Sequence, residues 1–291
     1  MPKYFDIDRT KYLIDMICPG RLTRVVDIGA NPLDESPYYR LRDAGLCEVW
    51  GFEPQPDAYA KLVEAAGPRE HYLPYAVGQG GEQTLNVYRS SGFTSFYSPN
   101  PDWLATIGNW NRKLRLRQQL ELVSHRLDDI DDLPEFDLLK IDVQGAETQI
   151  FEGGGKHLSE ACAIITEVAA VPIYEDQPLL NAQMDVLGGY GYSLHKFLTF
   201  IPRPLRGCEL SLRLRPRFHA NQLTDGDAVF IRNLMKMKEL GSEKVKQLAI
   251  LADSVFESFD ITTLALSVLE NRGEISMEAA NGYVDRLHKT T

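Results

Sequence analysis

The chain has 291 residues, 44% hydrophobic and 25% charged, with no internal repeat or low-complexity segment. That makeup is ordinary for a globular protein, and the length suits one large α/β domain with additions and a sizeable core. A formal net charge of -10 argues against nucleic acid as a partner, because phosphate backbones are bound by basic surfaces.

In chain order, residues 9–18 place Tyr12, Leu13, Met16 and Ile17 on one face of a lead-in helix. A first strand over 24–28 runs into Asp27-Ile28-Gly29-Ala30-Asn31. Ser36-Pro37 then reads as a helix N-cap with Pro at the first position, and Gly45 as that helix's stop. The second strand, Val49-Trp50-Gly51-Phe52, ends in Glu53-Pro54; a helix begun by Asp57 stops at Gly67-Pro68. A third strand covers 72–77. Residues 83–97 alternate and contain Gly92, which predicts a hairpin or edge strand. The stretch from Trp103 to Trp110 predicts a helix lying over something, and 120–124 an extended run leading into Leu127-Asp128-Asp129-Ile130.

The fourth strand, 136–143, is apolar on both faces, as a central parallel strand should be. Its helix starts near Gly145 and ends at Gly153-Gly154-Gly155. A fifth strand over 161–168 carries Glu167; a helix over 179–187 and strands over 193–200 and 228–232 follow. The Pro/Arg-rich connection 201–220 is too long for a tight turn and reads as a surface loop or lid. Beyond Asn233 the pattern becomes helical, with an apolar stripe from Val245 to Phe259 and two further helices. This divides the chain into a main domain, 1–233, and a helical extension, 234–291. The stripe needs burial. We expect the extension to belong to the folded unit, with pairing to a second copy as the further expectation.

The four cysteines are scattered, with Cys47 and Cys162 inside apolar runs, so neither a zinc site nor a disulfide framework is suggested. No signal peptide and no membrane-spanning run is seen, and the cytoplasm is the default compartment. Arg112, Lys113, Arg115 and Arg117, and the arginines from 203 to 217, form basic clusters. They read as solvated loops, with a pocket for an anionic substrate or acidic lipid as the alternative.

Alternating strands and helices mean a parallel sheet wound on both faces, in which ligands bind where strands end and the chain order reverses. Asp27, Gly29, Asn31, Glu53, Ala76, Val77 and Asp142 all fall at such strand ends. A carboxylate such as Glu53 can accept from both ribose hydroxyls, so the set reads as a nucleoside-cofactor site. S-adenosylmethionine suits it better than a dinucleotide, which would want G-x-G-x-x-G where only Gly29 stands.

Leu138-Leu139-Lys140-Ile141-Asp142-Val143-Gln144-Gly145-Ala146-Glu147 resembles the FkbM family of S-adenosylmethionine-dependent methyltransferases. So do Val26-Asp27-Ile28-Gly29-Ala30-Asn31, Gly51-Phe52-Glu53-Pro54, Tyr75-Ala76-Val77-Gly78, Leu127-Asp128-Asp129-Ile130 and Asp227-Ala228-Val229-Phe230-Ile231, over roughly 20–233. The resemblance implies a doubly wound, mostly parallel seven-stranded Rossmann-like sheet and methyl transfer, usually to a hydroxyl of a sugar, glycoconjugate or related small molecule. It also implies site roles. Asp27, Gly29 and Asn31 would line the methionine end of the cofactor, Glu53 with Pro54 the ribose, and Ala76-Val77 the adenine. Asp142 would sit beside the sulfonium and the acceptor. The chain departs from the family at Leu33, where a Gly is usual, and at Gln144, where a Glu is usual. Those two departures motivate an alternative: a domain of this fold that binds cofactor or partner without transferring methyl groups.

An acceptor hydroxyl needs a base to take its proton. Asp142 is the first candidate and Glu167 the second; a metal is possible chemically, but no metal-ligand spacing is present. Glu147 reads as a helix-dipole partner. His125 and His195 read as ordinary strand residues, and 93–96 as hairpin packing, with a cover over adenine or acceptor as the alternative.

Overall fold

The computed structural model describes residues 4–31, 35–107, 110, 112–206 and 208–290. Its elements in chain order are α1 (Ile7–Ile17), β1 (Thr23–Ile28), α2 (Tyr39–Asp43), β2 (Cys47–Phe52), α3 (Pro56–Ala65), β3 (Glu70–Leu73), β4 (Ala76–Val77) and β5 (Gly81–Tyr88). Then come α4 (Pro101–Ile107), β6 (Leu116–His125), β7 (Leu138–Ile141), α5 (Glu147–Glu152), α6 (Gly155–Glu160), β8 (Ala163–Ala169), α7 (Leu180–Gly189) and β9 (Tyr192–Arg203). The chain closes with α8 (Pro216–His219), β10 (Gln222–Arg232), α9 (Ser242–Ser254), α10 (Phe259–Asn271) and α11 (Met277–Thr290).

Seven strands form the main sheet in the order β3-β2-β1-β7-β8-β10-β9. All pairs are parallel except those of β10, which is antiparallel to both neighbours. The chain order reverses between β1 and β7, which is where an open α/β sheet leaves a crevice. This is the doubly wound, mostly parallel seven-stranded sheet expected. Leu139, Ile141, Ile164 and Phe230 point to one face, against Ile150 and Phe151 of α5, Leu158 of α6 and Leu187 of α7. Val25, Leu138, Ile165 and Val229 point to the other, against Leu13 and Ile17 of α1 and the helices α9 to α11. Each such side chain taken fully out of water contributes roughly 2 kcal/mol before entropy is charged against it.

The helical extension is thus one layer of the main core. In α9, Val245, Leu248, Ala249 and Ala252 are fully buried. A closed polar network ties it to α1. Asp253 accepts from Arg9 Nε at 2.7 Å, from Thr10 Oγ1 at 2.6 Å and from Tyr283 OH at 2.8 Å, and Arg9 lies over the Phe259 ring. The apolar stripe is spent inside the chain, so a second copy would have to use another surface.

A smaller sheet, β4-β6-β5, stands beside the main one. The strand expected over 72–77 is two pieces. Pro74 has no N–H to give a ladder, and the chain crosses there from β3 of the large sheet to β4 of the small one. Of the two readings of 83–97, the edge strand holds and the hairpin does not: β5 lies at the edge of the small sheet and pairs antiparallel with β6, while among the described residues an isolated Asn86–Ser95 bridge closes back on 83–97. Tyr88, Leu104, Ile107, Trp110, Leu114, Ile173 and Tyr174 give this module its own core.

Two helix boundaries also differ. The helix expected from Ser36 begins at Tyr39 with no side-chain cap, because the Ser36 hydroxyl instead donates to buried Asp27, 3.1 Å away. The helix after the fourth strand is two short ones, with Gly155 inside α6 rather than past its end; Asp128 accepts from Lys156 N and His157 N and so restarts it. Strands β9 and β10 extend well beyond the expected ends, as one long antiparallel pair.

Candidate active site

The carboxyl ends of β1, β2 and β7 converge around Gly29. Its φ of +82° is left-handed, and a Cβ would meet the Asp142 carbonyl oxygen at 2.1 Å. Glycine is required here because β7's backbone comes so close. The loop is held further by Gly29 N and Ala30 N donating to Phe52 O and by Asp142 N donating to Ile28 O.

These ends enclose a cavity of about 640 Å³, within the range of small-molecule sites. Gly29, Asn31, Glu53, Pro54, Ala76, Val77 and Asp142 all line it. The small module supplies the opposite wall through Leu85, Ser91, Gly92, Thr94, Phe96 and Arg117. Phe93 lies off the lining, packed edge-on against Trp110. The cover over the cavity comes from Thr94 and Phe96.

Glu53 is 7% exposed, and its Oε1 accepts from Gln55 N at 2.7 Å. Burial pushes its carboxyl up to about 7, against the Gln55 hydrogen bonds that favour the charged form. A buried carboxylate at a cavity wall is a strong acceptor for a ligand's hydroxyls.

Asp27 does not line the cavity. It is buried beneath it, with Oδ2 accepting from Tyr38 OH at 2.6 Å and Ser36 Oγ at 3.1 Å, and Oδ1 paired with Lys140 Nζ at 3.2 Å. Burial works against Lys140's charge, but Asp27 and Asp142 outweigh it and the ammonium is held above its ordinary range. Lys140 does line the cavity, as do Thr199 and Asp227. Burial raises the Asp227 carboxyl, and Thr199 Oγ1 donates to it at 2.8 Å. Sequence reasoning missed these three. The signal for Lys140 was available: a charge in the middle of a strand otherwise apolar on both faces has to be paired. Asp227 opens a motif of the family resemblance with no local sign of its role, and Thr199 carries no local signal, because it faces Asp227 only through the β9–β10 register.

Gln144 organises the far end. The residue sits at φ +56°, with its carbonyl accepting from Ser95 Oγ at 2.6 Å. Its amide nitrogen donates to Asp142 Oδ1 at 2.9 Å and to Glu167 Oε2 at 2.8 Å. Tyr174 OH shares its proton between Phe93 O and the Gln144 amide oxygen, at 2.9 and 3.1 Å. An amide has two N–H donors, so one nitrogen can bridge two carboxylates. Glu167 stands behind this bridge, off the cavity lining, and burial followed by the charge of Asp142 holds its carboxyl well above the usual range. Glu147 stands in the first turn of α5, where the helix-dipole reading places it. It is buried, its Oε1 accepts from Val143 N and Gly145 N, and burial pushes it up to about 7. His195 pairs with Ser258, away from the cavity lining. Leu33, the first departure from the family pattern, lies outside the described residues.

A seven-stranded sheet in this order, with a cavity at its reversal point, defines a Rossmann-like methyltransferase fold. The family model for the methyltransferase FkbM domain matches residues 27–194. The chain belongs to the FkbM methyltransferase family, whose cofactor is S-adenosylmethionine. It is 28% identical over 202 residues to the 2-O-methyltransferase NoeI of Sinorhizobium fredii (strain NBRC 101917 / NGR234), an alignment covering 63% of this chain and 76% of that protein. Solved structures it resembles include the 1,6-didemethyltoxoflavin-N1-methyltransferase of Burkholderia thailandensis, at 12% identity, 78% and 77% coverage and a TM-score of 0.37. Another is the precorrin-6y C5,15-methyltransferase of Geobacter metallireducens, at 10% identity, 80% and 92% coverage and a TM-score of 0.37.

Proposed function

We propose that this methyltransferase acts on a hydroxyl oxygen of a sugar, glycoconjugate or related polyhydroxylated small molecule, with Asp142 as the base. The observation that carries the reading is the Asp142–Gln144–Glu167 bridge at one end of a cavity whose other end holds Glu53. Similarity to a 2-O-methyltransferase supports oxygen as the acceptor atom.

The cavity's residues fit the cofactor. Glu53 would accept from the ribose hydroxyls, and Pro54, Ala76 and Val77 give the adenine an apolar seat. Asp27 is already neutralised by Lys140, so Asp142 and Asp227 leave the far end negative, which suits a sulfonium cation. Bound there, S-adenosylmethionine supplies the methyl group on a cationic sulfur. This chain's part in the transfer would fall to Asp142, which would take the proton of the acceptor hydroxyl. Glu167, the second candidate base, acts through Gln144 as a positioning residue. Asp27 contributes from below, by holding Lys140, rather than by touching the methionine end.

At Gln144 a third carboxylate beside Asp142 and Glu167 would repel both, whereas the amide donates to both. That departure therefore supports catalysis more than it supports the non-catalytic alternative. Among the described residues no helix is long and apolar enough to cross a membrane. We assign the activity to the cytoplasm, a reading supported by four free cysteines, two of them buried.

Calorimetry with S-adenosylmethionine, joined to transfer of labelled methyl into a glycan and metabolite pool, tests the reading. Cofactor binding with no labelled product from any glycan fraction, or product that survives Asp142→Asn, overturns it.

A further inference from the structure

The two basic runs lie far apart in sequence, yet the fold brings them onto one module. The Arg203 guanidinium lies 5.0 Å over the Trp110 ring, Phe93 packs edge-on against the same ring, and Lys113 Nζ lies over Phe93. Arg206 N donates to Thr106 O of α4, and Arg117 reaches the cavity wall. In a chain of net charge -10, residues 203–217 hold five arginines against the single acid Glu209.

Strand β10 is antiparallel to β8 and β9, so β9 ends and β10 begins at the carboxyl edge of the sheet, the edge on which the cavity opens. The described residues of the connection between them, 204–206 and 208–221, stand at that edge. Four apolar side chains of the connection face water: Leu210 and Phe218 are 71% exposed, Leu205 and Leu214 45%. Single exposed leucines are ordinary. Four large apolar side chains in one connection, interleaved with exposed Arg213 and Arg215, are a pattern that needs a partner.

We infer that the face carrying Leu210, Arg213, Arg215 and Phe218 docks the protein on an anionic lipid surface. Leu210 and Phe218 would enter the headgroup boundary, with Arg213 and Arg215 among the lipid phosphates, so that the cavity edge faces the bilayer. Charge alone would suit any polyanion. A nucleic acid or a soluble acidic glycan, however, would satisfy the arginines and leave the leucines and phenylalanine in water. A bilayer takes both. The inference goes beyond the methyl-acceptor reading and does not depend on it, because the surface uses no residue of the cavity end assigned to proton removal.

The experiment is co-sedimentation of the full chain with vesicles of equal parts phosphatidylglycerol and phosphatidylcholine, against phosphatidylcholine alone, at low and physiological salt. Binding to the anionic vesicles, weakened by salt and absent on the neutral ones, is expected. Arg213→Gln/Arg215→Gln should weaken it about tenfold or more, and Leu210→Ser/Phe218→Ser should abolish it. All four side chains are exposed, so both variants should keep the wild-type melting midpoint and S-adenosylmethionine affinity. No binding to the anionic vesicles overturns the inference, as does equal binding to both kinds. Binding that Leu210→Ser/Phe218→Ser leaves intact also overturns it, and points to a soluble polyanion instead.

Discussion

One face of the sheet carries two regions of opposite character. Toward the amino ends of the strands it is apolar under α1, α9 and α10, and its buried charge is closed: Asp253 is satisfied by Arg9, Thr10 and Tyr283. Two residues nearer the carboxyl edge of the sheet the side chains become Asp27, Lys140, Glu167 and Asp227, with Asp142 just beyond, and the cavity opens on Lys140, Asp142 and Asp227. The period of two along a strand puts both sets on one face. The difference teaches how to tell a structural charge from a working one. A paired network with no route to a cavity holds elements together, whereas carboxyls raised by burial at a cavity wall are poised to bind or take a proton.

The largest effect expected comes from breaking the open region. Asp142→Asn should lower methyl transfer by roughly 10²–10⁴-fold, the worth of a positioned base, while calorimetric S-adenosylmethionine binding and the melting midpoint hold. Breaking the closed region should do the reverse. Asp253→Ala removes the carboxylate facing buried Arg9 and should cost about 3–5 kcal/mol of unfolding free energy in a denaturant titration, whereas Arg9→Met/Asp253→Leu together should cost much less.

A third test reads pH. The Glu53 carboxyl at about 7 is raised from its ordinary value, so its protonated form is favoured by folding. It therefore supports stability at low pH, and that support is lost as pH rises through about 7. Hydroxyls, however, are accepted by the ionised form. S-adenosylmethionine affinity should tighten as pH rises across 7, and Glu53→Gln should flatten that dependence. The same variant should be more stable than wild type at about pH 8 and equal to it below about pH 4. Affinity that ignores pH in the wild type would detach Glu53 from the ribose.

The smallest effect concerns the bridge. Gln144→Glu keeps the shape but can hold both Asp142 and Glu167 only while protonated. Its rate–pH profile should fall at lower pH than the wild type's as the new carboxyl ionises, with little change in melting midpoint at acidic pH. Coincident profiles would make Gln144 a packing residue alone.

Much of this was legible in the sequence because it is local. A glycine between Asp27 and Asn31, a carboxylate closing an apolar strand at Glu53, and an Asp142 ending a central strand all carry their meaning in neighbouring residues. The alternation of strands and helices and the helical run beyond Asn233 followed from periodicity, the seven-stranded sheet from the family resemblance, and all but two of the expected site residues line the cavity. Asp27 and Glu167 differ because lining depends on which neighbouring strand supplies a partner. Lys140 reaches Asp27 through the β1–β7 register, and Gln144 comes between Glu167 and the cavity by a left-handed backbone turn. The cover over the cavity is likewise a tertiary matter. Pro74 sends the chain out of the sheet, and β5 finds its partner in β6, beyond an intervening helix, so Thr94 and Phe96 reach the cavity from a module that no local pattern announces. What the sequence determined by itself is the family, the sheet and the cofactor-facing strand ends, since each rests on side chains a few residues apart. What only the tertiary structure decided is which charges are closed and which are open, because burial and pairing are set by residues that meet across strands.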